Sequence, residues 1–264
     1  MPVIVPYIPE TITVHMGPPD QWAENVTVSF PEYVKNVASS EIYPTWEPEA
    51  IRANVLAIIS FALNRVYTEF YPSRGYSFQI TSTPAYDQKF IRGRDIFQNI
   101  SRVVDELFND YIRREGFIEP LSAKFCNGTT STCDGLSQWG SQYMAQEGAD
   151  AAEILKHYYG RNIEFVVDAP IRALTASYPG TPLKKGAVGE NVLVIQAMLN
   201  RIGKNYPAIP RVTSTGVFDT DTEQSVKVFQ KTFSLVPDGI VGKATWYKLV
   251  YLYVGVLQLA ELVS

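Results

Sequence analysis

The chain predicts an α+β domain followed by a small three-helix bundle. Between residues 30 and 167, helix-spaced apolar runs alternate with short strand-like runs. Residues 168–182 then carry Pro170, Pro179, Gly180 and Pro182, the composition of a linker. Beyond it come three amphipathic segments separated by turn residues. The expected division is an N-terminal extension at 1–29, a larger domain at 30–167, a linker at 168–182, and a helical module with a C-terminal extension at 183–264.

The larger domain opens with a short helix over 30–40. A long one follows over 48–71, where AIRANVLAIISFALNRVYTEF is apolar nearly all round and marks a central buried helix. Pro48 suits its first turn. Residues 77–83 favour a strand, 94–114 an amphipathic helix and 121–126 a second strand. A Gly/Thr/Ser loop leads to helices near 138–147 and 150–159. In the module, Val192, Ile195, Leu199 and Ile202 share one helical face, as do Val226, Phe229 and Phe233. Thr220 and Glu223 have capping-box spacing, and Asp238-Gly239 turns the chain into a third helix bearing Trp246 and Leu249. The apolar run LVYLYVGVLQLAEL is expected to pack on the bundle.

The 264 residues suffice for two domains. Lys and Arg number 23 against 27 Asp and Glu, a net charge of −4, so no nucleic-acid partner is expected. The 16 Tyr and four Trp suit sugar faces and ordinary cores equally, and leave that choice open. The opening MPVIVPYIPETITV has no basic n-region and is broken by prolines, so it does not read as a signal peptide. No run reaches the roughly 18 apolar residues of a membrane span, and no membrane partner is expected.

Two sets of motifs point further. Gly189-Glu190-Asn191-Val192, then Phe229-Gln230, then Pro237-Asp238-Gly239-Ile240-Val241-Gly242-Lys243-Ala244-Thr245-Trp246 together resemble the peptidoglycan-binding module of bacterial wall-lytic enzymes. Upstream, Tyr33-Val34-Lys35-Asn36-Val37-Ala38-Ser39-Ser40-Glu41-Ile42-Tyr43-Pro44 precedes Trp46 and Pro48-Glu49-Ala50-Ile51-Arg52-Ala53-Asn54. Ser137-Gln138-Trp139-Gly140, Met144-Ala145, Glu147-Gly148 and Glu153-Ile154-Leu155-Lys156-His157-Tyr158-Tyr159-Gly160 come later. Over about residues 30–165 these resemble the opening and closing signatures of the stage II sporulation protein D family of lytic transglycosylases. The joined layout is similar to clostridial spore cortex-lytic enzymes, which are made with a removable pro-region. The resemblance implies peptidoglycan glycan strands of the spore cortex as partner and an activating protease acting on a precursor. It also implies an extracytoplasmic place in cortex, coat or cell wall.

In that family a glutamate in the segment matching SSEIYP is the catalytic acid/base, which implies that role for Glu41. The implied reaction cleaves the bond between N-acetylmuramic acid and N-acetylglucosamine and leaves 1,6-anhydro-muramoyl ends. The residues themselves support a proton donor. Glu41 falls where a short helix ends, beside Ile42, Tyr43 and Trp46, and desolvation there would raise its pKa. A surface helix-end carboxylate is the plainer alternative. Glu47 and Glu49 read as acids favoured at a helix start. Tyr86, Asp87 and Gln88 follow an expected strand and either contact sugar or form a solvated loop. Gly135 and Gly140 bracket Gln138 and Trp139, suiting a tight loop that presents both to a ligand, unless Trp139 packs against Met144 and Tyr143. Cys126 and Cys133 allow a disulfide, free thiols or a metal site. No histidine lies between residues 15 and 157, so the cysteines fall short of a four-ligand zinc set, and neither metal nor cofactor is expected. Two other readings stay open: an N-acetylmuramoyl-L-alanine amidase, and a non-catalytic wall-binding or spore-coat protein.

Overall fold

The computed structural model describes residues 6–174 and 176–259, which divide into two compact units. The larger holds residues 6–67 and 77–174. The smaller holds 68–76 together with the described residues from 176 onward. Residues 1–5, at the start of the expected extension, and 260–264, at the end of the C-terminal run, lie outside the described residues.

The larger unit begins with β1 (Ile8–Pro9), β2 (Thr11–His15) and β3 (Asn25–Ser29). β2 and β3 pair antiparallel from Thr11↔Ser29 to His15↔Asn25. Ile8, Ile12 and Val14 are fully buried in this unit's core, so residues 8–29 belong to the larger unit and do not form the separate extension expected from the sequence. The signal was the alternation of Ile12, Val14, Val26 and Val28 at period two. His15 locks the hairpin loop: Nδ1 meets Asn25 Oδ1 at 2.7 Å, while Nε2 faces the Pro18 and Gln21 carbonyls.

Helix α1 (Phe30–Glu41) starts where Ser29 Oγ accepts the Glu32 amide, with Pro31 in the first turn. It stops at Ile42, whose backbone is extended, and Tyr43 precedes Pro44 and is steered away from helix. Helix α2 (Pro48–Tyr67) is buried on nearly every face, as its sequence predicts. Its buried polar side chains each tie down a neighbour. Asn54 donates to Ser141 Oγ, Ser60 Oγ accepts the Ile112 amide at 2.9 Å, and Asn64 donates to the Pro120 carbonyl. Arg65 Nε pairs with Asp87 Oδ1 at 2.8 Å, both side chains being almost wholly buried.

β4 (Ile80–Thr81) lies parallel to β2, giving a three-stranded sheet of order β3-β2-β4. The helix expected over 94–114 divides in two. Helix α3 covers only Gln98–Leu107, and after the Asn109-Asp110 turn β5 (Tyr111–Arg114) is a strand. Next come β6 (Phe125–Cys126), β7 (Leu136–Ser137), α4 (Gln138–Gln146), α5 (Ala151–Tyr159) and β8 (Ile163–Val166). β8 explains the divided helix: it pairs antiparallel with β5, and Arg113 bonds Glu164 across the ladder. Asp150 and Glu153 cap α5 reciprocally. β9 (Ile171–Arg172) pairs parallel with β1, so the first part of the expected linker belongs to this unit.

In the smaller unit, α6 (Glu190–Asn205), α7 (Thr220–Thr232) and α8 (Lys243–Leu257) bury Ile195, Leu199, Val226, Phe229, Trp246 and Leu249. The N-cap of α7 is Asp219, which accepts the Thr222 amide, so Thr220 is the first helical residue and not the cap. Two buried glutamines organise the bundle in the same way. Gln196 accepts the Gly216 amide and donates to Val217 O and Thr222 Oγ1. Gln230 accepts the Gly239 amide and donates to Ile240 O and Thr245 Oγ1. In both cases glycine, apolar residue and threonine stand at the same relative spacing, so the module is built from one unit used twice. The segment 68–76 joins it through Glu69, whose carboxylate accepts the Ser177 amide and hydroxyl while Ser177 accepts the Trp246 indole N–H. Burial pushes the Glu69 carboxyl up.

Two expectations concern stability. Gln230→Leu leaves the buried Gly239 amide without its acceptor and should cost about 1–3 kcal/mol in urea unfolding. Asp87→Asn breaks the buried Arg65–Asp87 ion pair from one side and should cost about 3–5 kcal/mol; the double replacement Arg65→Met with Asp87→Leu should lose less than that single change.

Candidate active site

Glu41 is the last residue of α1, and two elements hold its carboxylate. The Lys89 backbone N–H donates to Oε1 at 3.0 Å, and Gln138 Nε2 donates to Oε2 at 3.3 Å. Burial pushes the carboxyl above its ordinary 4.5. The two donors and the Lys89 charge pull the other way without offsetting it. The C-terminal end of α1 acts in the same direction as burial, because the helix dipole disfavours negative charge there. An acid kept protonated to higher pH, yet fixed by two donors, has the properties of a general acid that can later accept a proton.

The loop that supplies the Lys89 amide is pinned to the core. Asn36 Nδ2 donates to Ile91 O at 2.7 Å, and Ile91 N donates back to Asn36 Oδ1 at 2.9 Å. Gln88 is fully buried, accepts the Tyr33 hydroxyl at 2.8 Å and donates to Ile58 O. Asp87 accepts from Arg65 and from the Thr81 amide and hydroxyl. Asp87 and Gln88, expected as sugar contacts, therefore face the protein interior. What they do is fix the loop that carries Lys89. Of the three residues expected there, only Tyr86 is exposed.

Gln138 and Trp139 open α4; they do not sit in a tight loop. The cap is Ser137, whose Oγ accepts the Gly140 amide at 3.0 Å. Under that cap lies the strand pair β6–β7, with Cys126 opposite Ser137, and Cys126 is joined to Cys133 by a disulfide. Trp139 N donates to Asn127 O across the same junction. Contact is close enough that a Cβ at Gly128 would stand 1.9 Å from Ser137 Oγ, and one at Gly140 would stand 2.0 Å from the Tyr158 hydroxyl. The disulfide loop thus sets the helix end that aims Gln138 at Glu41.

Trp139 turns to a group of rings. Its centroid lies 5.1 Å from Trp46, 5.8 Å from Tyr43 and 6.0 Å from Tyr143, with Tyr43 and Trp46 also 5.7 Å apart. Trp46 is buried beneath, whereas Tyr43 and Tyr143 are 55% and 54% exposed. Trp139 packs on Tyr143 and is itself only half-buried. Two neighbouring acids serve helix ends: Glu49 accepts the Ala151 amide at the start of α5, and Glu47 begins the approach to α2 with its amide donating to Gln142. Lys89 went unread in the sequence, because its contribution is a backbone amide that any residue carries. With the cysteines bonded to each other, neither offers a thiolate to a metal. His157 packs edge-on against Tyr158. Among the described residues no cluster of three or more His, Cys, Asp or Glu is placed to hold a metal ion.

Comparison with known proteins follows this division of the chain. Residues 20–107 match the stage II sporulation protein family, a span that includes Glu41 and ends before α4. Residues 188–249 match the peptidoglycan binding domain family. N-acetylmuramoyl-L-alanine amidase CwlL of Bacillus licheniformis is 39% identical over 66 residues, which is 25% of this chain and 18% of that protein, so the chain spans under a fifth of this relative. The crystal structure of the SleB N-terminal domain is similar at 28% identity and a TM-score of 0.26, covering 29% of this chain and 99% of the other. The chain thus joins a stage II sporulation protein domain to a C-terminal peptidoglycan-binding domain.

Proposed function

We propose that the protein is a peptidoglycan lytic transglycosylase that cuts between N-acetylmuramic acid and N-acetylglucosamine, with Glu41 as acid and then base. The observation that carries this reading is a half-buried carboxyl, raised by desolvation and held by two donors, one of which, Gln138, directly precedes Trp139 in a group of aromatic rings. Glu41 protonates the glycosidic oxygen as its bond to the muramic C1 breaks. The muramic N-acetyl group steadies the developing cation, so no second carboxylate is needed. The Glu41 carboxylate then takes the proton of the sugar's own 6-hydroxyl, whose oxygen closes on C1 to give the 1,6-anhydro ring. Gln138 and the Lys89 amide stabilise the carboxylate between the two transfers. Trp139 and Tyr86 belong to the substrate-binding surface, and Gln138 orients the acid.

The peptidoglycan-binding domain suits an insoluble glycan, since tethering raises the effective concentration of substrate at the cleft. The layout favours spore cortex as that glycan. A disulfide in the larger unit accords with a place outside the cytoplasm, in cortex, coat or wall. Among the described residues no helix is long and apolar enough to cross a membrane. An amidase would act on the muramoyl–L-alanine link, and the relative that bears that name shares only a quarter of this chain.

Digestion of purified cortex glycan, followed by mass spectrometry of the soluble fragments, tests the proposal. The parent should release anhydro-muramic ends, and Glu41→Gln should lower their rate by at least about a hundredfold, the contribution expected of a general acid. Hydrated reducing ends would instead indicate a hydrolase, and free peptides an amidase. No fragments, with the protein still pelleting on glycan, would leave a wall-binding protein.

The pH profile tests the wiring of the acid. Glu41 must begin protonated, so kcat should fall on the alkaline side, through a pKa above the ordinary 4.5. Gln138→Leu removes a donor that favours the carboxylate, and should move that limb to higher pH. A limb that stays in place would detach Gln138 from the acid.

A further inference from the structure

A row of rings that its chemistry does not use adjoins the proposed acid in the chain. Tyr43 stands two residues beyond Glu41, and the buried Ile42 between them anchors the turn. Trp139 directly follows Gln138, the donor to Glu41. Tyr143 stands one helical turn further along α4, its ring inclined 31° to that of Trp139. The outer rings keep more than half their surface in water although each touches Trp139, and Trp46 supports the row from the core side. Rings held this way, with free faces and free hydroxyls, suit a ligand that presents flat C–H faces edged with hydroxyl and amide groups. A pyranose chain of N-acetylated amino sugars is such a ligand.

We propose that Tyr43 and Tyr143, on either side of Trp139, form a glycan-stacking subsite that seats a sugar unit next to the bond facing Glu41. This rests on the reading of Glu41 as the acid of a glycan-cleaving enzyme and adds the surface that holds the strand. The outer rings supply stacking and the hydroxyls supply orientation. Because the row is tied to Gln138 through adjacent residues of α4, a strand seated on it is indexed to the acid through one rigid helix end. The subsite bears on substrate capture, not on the proton inventory, so the two contributions separate experimentally.

The test uses the full chain carrying Glu41→Gln, so that nothing is cleaved, titrated calorimetrically with the N-acetylglucosamine hexamer. Tyr43→Ala and Tyr143→Ala, each added to that background, should weaken binding about three- to tenfold, whereas Tyr143→Phe should retain most of it. The same alanine changes in the active parent should lower kcat/KM on soluble glycan strands by a similar factor and leave the alkaline limb where it was. Both rings are exposed, and unchanged thermal unfolding would show the variants folded. Unaltered hexamer affinity together with unaltered kcat/KM overturns the subsite, even if anhydro ends are released as proposed. Lost affinity in the alanine variants supports it even if the products prove to be those of a hydrolase.

Discussion

The larger unit depends on satisfying the polar groups that α2 carries into the core. A helix buried on every face has no water to fall back on, so each polar side chain needs a protein partner. Asn54 finds Ser141 on α4, Ser60 finds the amide of Ile112 on β5, Asn64 finds Pro120, and Arg65 finds Asp87. A main-chain group joins them, since Ile58 O receives Gln88. Three of those partners, Asp87, Gln88 and Ser141, lie in the loop and the helix that supply the donors to Glu41. The loop bearing the Lys89 amide is fixed by Asp87 and Gln88, and the start of α4 is fixed by Ser141. The acid therefore inherits its two donors from the hydrogen-bond needs of a helix it does not belong to.

This arrangement carries an energetic sign. Glu41 has a folded pKa above its ordinary 4.5, so its contribution to stability is fully present below that value and is lost as pH rises through the folded pKa. At neutral pH an ionised Glu41 works against the fold. The Lys89 amide, the Gln138 amide group and the Lys89 charge limit the loss without abolishing the shift. A site that offered more donors would hold the carboxylate more firmly and give up the acid.

How much could be read from the sequence varied with the kind of physics involved. The helices of the smaller unit were legible because Val192, Ile195, Leu199 and Ile202 repeat at a spacing that packing demands. Glu41 was legible through a motif and through its apolar neighbours. The shortest strands were legible unevenly: β4 and β6 fall inside the runs 77–83 and 121–126 that read as strand, whereas β1, β7 and β9, two residues each, carry no period. Residues 94–114 read as one helix because Tyr111 and Ile112 continue an apolar pattern, and only pairing with β8 turns them into strand. Asp87 and Gln88 looked like loop residues aimed at a ligand. Their partners Arg65, Tyr33 and Ile58 lie 22 to 55 residues away, and no local pattern encodes such a contact.

The disulfide and the ring row are linked by the same reasoning. Helix α4 is short, and its first turn carries both the donor to Glu41 and the central tryptophan of the row. Its position there rests on Ser137, on the strand pair that sets Cys126 opposite Ser137, and on two glycines where a Cβ would collide with a side-chain oxygen. The Cys126–Cys133 bond closes the loop beneath that cap and limits its freedom in the unfolded chain. Exposed rings gain little from the core, and a buried carboxyl detracts from it at neutral pH. A covalent closure next to both features is thus where a fold of this size can best support a stretch of surface that adds little to its own stability.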